Sequence, residues 1–75
     1  MKRERRYSGE VLLELHYTSG RAVRVIAIDP ISGTEVTMIG DKQQGEAVLK
    51  RLAARKLAYV LNKKKKEAEK KDNLF

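Results

Sequence analysis

A chain of 75 residues is one small domain, and a hydrophobic content of 41% is enough for one modest core. The absence of Cys excludes disulfides, thiolate catalysis and Cys-based zinc sites, and a single His excludes a multi-His metal centre. A net charge of +7 points towards anionic partners, nucleic acid first.

The chain opens on a basic arm. Residues 1–6 carry Lys2, Arg3, Arg5 and Arg6 against Glu4, a net +3, with no apolar period, and are expected to be disordered. No apolar run follows these charges, so no secretory leader is read there, and no run in the chain is long enough to span a membrane. The expected location is the cytoplasm. From residue 7 to residue 62 the charges almost cancel, seven cations against six carboxylates, and this stretch is expected to be the single folded domain.

Glu10–Tyr17 alternates, with Val11, Leu13, Leu15 and Tyr17 on one side, which is strand period. Thr18-Ser19-Gly20 reads as a three-residue hairpin loop. Arg21–Ile28, rich in Val and Ile, is a second strand. Asp29-Pro30-Ile31-Ser32-Gly33 is a stronger turn: Asp bonds the backbone ahead of it, Pro presets φ and Gly takes a positive φ. Thr34–Ile39 is a third, short strand. A three-residue first loop would pair Tyr17 with Arg21, Leu15 with Val23 and Glu14 with Arg24. The second turn would pair Ala27 with Val36 and Val25 with Met38. Together these registers put Val11, Leu13, Leu15, Tyr17, Val23, Val25, Ala27, Val36 and Met38 on one apolar face.

That face needs a cover, and only the following segment can supply it. Asp41 can cap a helix with Gln44 in the capping-box position, while Gly45 weakens the first turn. From Glu46 the period is helical, with Leu49, Leu52, Ala53, Leu57 and Val60 on one stripe and Val48, Tyr59 and Leu61 at its margins. The expected fold class is α+β: a three-stranded antiparallel sheet, order 1-2-3, with one C-terminal helix packed on one face. Lys56 falls near the middle of the stripe and is expected to lay its stem along the core and free its ammonium at the sheet margin. Residues 63–75 carry Lys63, Lys64, Lys65, Lys66, Lys70 and Lys71 against Glu67, Glu69 and Asp72, again a net +3. They are expected to be a frayed helix ending in disorder, because consecutive lysines repel and have no apolar face to dock.

No catalytic constellation is visible. Glu14 and His16 share a sheet face, and a carboxylate can orient an imidazole for base chemistry, but a surface pair without a cleft reads as an ordinary strand feature. No metal-ligand spacing and no Gly-rich phosphate loop is present, so no metal or cofactor is expected and no enzyme is read. The second sheet face carries Leu12, Ile26, Ile28 and Ile39 with Glu14 and Arg24, an apolar cluster that one helix cannot cover. The leading expectation is therefore a non-enzymatic module that contacts a protein partner or a second copy of itself through Leu12, Glu14, Arg24, Ile26, Ile28 and Ile39. The alternative is a nucleic-acid-binding accessory protein that uses its basic termini: Arg3, Arg5, Arg6, Arg55, Lys56, Lys63, Lys64, Lys65 and Lys66.

Gly9-Glu10-Val11, the string Val23-Arg24-Val25-Ile26-Ala27-Ile28-Asp29, Ser32-Gly33-Thr34-Glu35-Val36 and the helix string Leu52–Leu61 resemble a family of small, mainly alphaproteobacterial proteins classed as a domain of unknown function. The resemblance covers roughly residues 8–61, is most specific in the helix string and is least typical at Lys42–Gly45. It implies a cytoplasmic bacterial domain with a βββα body, and it brings no site residues with it. In fold order alone the chain is also similar to integrase arm-binding domains, without their base-contact motif.

Overall fold

The computed structural model describes residues 2–8 and 11–72, with side chains for residues 11–69. Four strands, β1 (Lys2–Ser8), β2 (Val11–Tyr17), β3 (Ala22–Ile28) and β4 (Glu35–Asp41), form one antiparallel sheet in the order β1-β2-β3-β4. A 3₁₀ turn, Lys42–Gln44, leads into a long helix, α1 (Glu46–Asp72). The fold is α+β: the three expected strands are β2, β3 and β4, and the C-terminal helix packs on one face of their meander.

The core lies between that face and α1. Leu13 and Leu15 from β2, Val23, Val25 and Ala27 from β3, and Val36 from β4 are buried against Leu49, Ala53 and Leu57 of the helix. Val11, Tyr17, Met38, Val60 and Leu61 pack around them, so every residue of the expected apolar face is in or against the core. A helix is about 10–12 Å across and strands stand about 4.8 Å apart, so one helix covers two or three strands. Accordingly α1 lies mainly over β3 and β4, with a smaller contact on β2.

Two expectations change. Residues 2–6, expected as part of a disordered arm, belong to β1, which pairs with the outer edge of β2 from Lys2↔Tyr17 to Ser8↔Val11. The reason is backbone chemistry: the edge of β2 presents a row of N–H and C=O groups, and a ladder satisfies them whatever the side chains are. The first hairpin is shifted by two residues, pairing Tyr17 with Val23 and Leu15 with Val25, so Glu14 faces Ile26 and His16 faces Arg24. The Thr18 hydroxyl closes this wider loop, donating to the Ala22 carbonyl at 2.9 Å and accepting from the Gly20 N–H at 3.2 Å. The freed Arg21 reaches across to Asp41 at 3.0 Å and Gln43 at 3.2 Å, tying the hairpin to the helix entry. The second register, Ala27↔Val36 and Val25↔Met38, is as expected. Where a helical extension was expected beyond Asn62, α1 runs on through the lysine run to Asp72. Lys, Ala and Glu are good helix formers, and cations in the last turns offset the negative end of the helix dipole. The tip of the expected disordered tail, residues 73–75, lies outside the described residues, as does Met1.

The helix entry follows its sequence closely. Asp41, in extended conformation, accepts the Gln43 N–H at 2.8 Å, and the Gln44 side chain accepts the Asp41 N–H at 2.8 Å, which is the capping box. Gly45 then takes φ 87° and separates the 3₁₀ turn from α1. At Gly40, opposite Val23, the helix packs tightly: a Cβ there would stand 2.2 Å from Leu49 Cδ2 and 3.0 Å from Gln44 Oε1. Because Leu49 is itself fully packed it cannot swing away. Gly40→Ala is therefore expected to cost about 1–3 kcal/mol, lowering the thermal midpoint by roughly 4 °C or more in a domain of this size. Gly20→Ala, whose Cβ would meet nothing nearer than Thr18 Oγ1 at 3.8 Å, should change it little. Equal midpoints for the two variants in a thermal melt would contradict this account of the seat.

The β3–β4 turn is built on Asp29. Its carboxylate accepts the Ser32 hydroxyl at 2.7 Å and the N–H groups of Ile31 and Ser32, each at 3.3 Å, and the Gly33 N–H returns to the Asp29 carbonyl at 2.8 Å. The Ser32 hydroxyl, opposed by desolvation and helped by the N–H groups of Ile31 and Ser32, holds the Asp29 carboxyl below the ordinary Asp value. A carboxyl depressed in the folded state adds stability above its unfolded pKa, about 3.9, and loses it as pH falls through the folded value. Asp29→Asn should thus melt below the native chain at neutral pH, with the gap closing as pH drops below about 4; a gap independent of pH would refute the carboxylate's role.

Candidate functional site

Two surfaces remain outside the core. The first is the outer face of the sheet. Leu12, Ile26 and Ile28 are half-buried there, Arg24 is exposed, and Glu14 is only 8% exposed. Of the four aliphatics expected to form a patch, only Ile39 stands open, at 66% exposure. The register sets Arg24 between His16 on β2 and Ile39 on β4, and these three, with Thr18 and Ala22, line a hollow of about 230 Å³. The His16 Nε2 lies 3.1 Å from Glu14 Oε1, so the expected pair forms. What the hollow offers chemically is a guanidinium, an imidazole engaged by a carboxylate, and an isoleucine. On the neighbouring strand Arg3 pairs with His16, Arg5 with Glu14 and Arg6 with Leu13. Their side chains lie outside the described ones.

The second surface is the solvent face of α1. With Leu49, Ala53 and Leu57 turned inward, the helical period turns residues 51, 55, 59, 62 and 66 outward. Arg51, Arg55, Tyr59, Asn62 and Lys66 are all exposed, as are Lys63 and Lys65 beside them. From Ala47 to Lys66 the sequence contains neither Asp nor Glu. Lys50 is paired with Glu46 one turn earlier. No acidic side chain among the described residues lies within ion-pair distance of Arg51, Arg55, Lys63, Lys65 or Lys66. From Arg51 to Lys66, about 22 Å of helix at 1.5 Å per residue, no acidic residue intervenes, and Glu67 and Glu69 follow in the next turn.

The remaining expected contacts have structural work. Lys56, expected to free its ammonium to water at the sheet margin, instead donates it to the Thr37 carbonyl at 2.8 Å, on edge strand β4. A lysine at that position blunts an edge that would otherwise invite strand addition. Lys64 reaches the Thr34 hydroxyl at 3.3 Å, pinning the helix to the β3–β4 turn. The residue that sequence reasoning missed is Tyr59. Helical spacing puts it at the margin of the apolar stripe, yet it is 68% exposed, beside Asn62, Lys63 and Lys66 around a hollow of about 170 Å³. Its spacing of four from Arg55 and eight from Arg51 was the available signal.

Among the described residues no three His, Cys, Asp or Glu side chains gather where they could hold a metal ion, and no helix is long and apolar enough to cross a membrane. Comparison with curated proteins finds no match. Comparison with solved structures finds none either. A protein-family model, described as a domain of unknown function (DUF6898), matches residues 8–65, from the end of β1 through the sheet and most of the lysine run. The chain therefore belongs to the DUF6898 family, a domain of unknown function.

Proposed function

We propose that this domain is a non-enzymatic binding module and that its ligand is nucleic acid, held electrostatically along the outer face of α1. The observation that carries the reading is the acid-free, exposed stripe Arg51, Arg55, Lys63, Lys66, on a helix that runs on from the folded body to Asp72. Basic termini alone are equally well explained as solubilising charge. A stripe that shares one helix with the core is different, because the fold orders its cations before any ligand arrives and the entropy of gathering them is already spent. The sheet face supports such binding less well, since Glu14 and Glu35 stand where phosphates would approach.

A second reading, contact with a protein or a second copy through the sheet, rests on the hollow beside Ile39. It is the weaker one, because Leu12, Ile26 and Ile28 are half-buried and Lys56 occupies a carbonyl of the β4 edge.

Titration of the full chain with a labelled oligonucleotide at several salt concentrations tests the proposal. Each phosphate neutralised contributes a slope in log K against log salt of about 0.9 on duplex and 0.7 on single strand. Replacing Arg51, Arg55, Lys63 and Lys66 together by Gln should lower the slope by about 3 and weaken binding at least tenfold at low salt, with the circular dichroism unchanged. No binding by the native chain at low salt, or an unchanged slope in the variant, would sink the reading.

A further inference from the structure

We infer that the helix prefers single-stranded over duplex nucleic acid, with Tyr59 as the residue that stacks on an unpaired base; this rests on the binding proposed above and assigns its ligand class. Tyr59 is the only aromatic side chain of α1. The core does not use it, and at 68% exposure its ring is open to solvent. A tyrosine is also a weaker helix former than the Lys, Ala, Arg and Leu around it, so the helix does not need it there.

Its position supplies the rest of the argument. Arg55 stands one turn before Tyr59 and Lys63 one turn after, with Lys66 a further turn on, so cations flank the ring on both sides along the axis. Asn62, Lys63 and Lys66 line the hollow with it, and Asn62 adds a neutral donor and acceptor at the ring's edge. A track of cations interrupted by an aromatic platform is how proteins hold single strands: the cations follow the backbone and the ring takes a base face, with little regard to sequence. Duplex bases are already stacked on each other, so a duplex can engage the cations of this stripe but leaves the tyrosine idle.

The experiment measures binding of the full chain to a single-stranded oligonucleotide and to the same sequence as duplex, at one low salt concentration, for the native protein, Tyr59→Ala and Tyr59→Phe. Tyr59→Ala should lose about tenfold or more on single strand, the range expected for one stacked base, with little change on duplex. Tyr59→Phe should bind like the native chain, and the salt slope should stay the same in all three, because no cation is removed. Native binding to both forms with no loss in Tyr59→Ala overturns the single-strand inference while leaving electrostatic binding in place. Equal losses on both forms overturn it too, since they would reflect a damaged helix. Failure of the native chain to bind either form removes both proposals at once.

Discussion

The close approach of Leu49 to Gly40 sets the geometry of everything that follows. The helix can rest on β4 at that point only because Gly40 has no side chain, and Leu49 fills the space a Cβ would need. The capping box of Asp41 and Gln44, and the positive φ of Gly45, deliver the helix to that seat. Once Leu49 points inward, the helical period turns Ala53 and Leu57 inward as well, and it turns Arg51, Arg55 and Tyr59 outward. A packing constraint in the core thereby selects which residues meet solvent along the whole helix.

One helix on one sheet face leaves two edges and an outer face to be managed. The β2 edge is closed by β1, and the β4 edge receives the Lys56 ammonium at Thr37. The outer face keeps its aliphatics half-buried around the Glu14–His16 pair, with Ile39 as the exception. On α1 the outward residues Arg51, Arg55, Tyr59, Asn62 and Lys66 remain exposed.

Much of the fold was legible in the sequence, for identifiable reasons. The core face was readable because strand side chains alternate with period two, and an error of two residues in the first hairpin preserves that alternation. The same error was invisible for the same reason, and it misassigned the partner of Glu14. Strand β1 was not readable, since Lys2–Ser8 has no apolar period. The helix through Lys63–Lys66 was readable from the propensity of Lys, Ala and Glu, with repulsion among four cations as the opposing effect. Helical spacing puts Tyr59 at the margin of the apolar stripe, and its phase with Arg51 and Arg55 carries it over to the cation side.

The functional account depends on α1 being one ordered rod from the core to beyond Lys66, so that the cations are arrayed before binding. Backbone relaxation of the free chain in solution by NMR tests this most directly. The account predicts helical chemical shifts without a break from Glu46 past Lys66 and order parameters near those of the sheet, about 0.85, through the same stretch. Random-coil shifts and order parameters below about 0.6 starting at Asn62 or Lys63 would contradict it, and would return the lysine run to the status of a solvated tail.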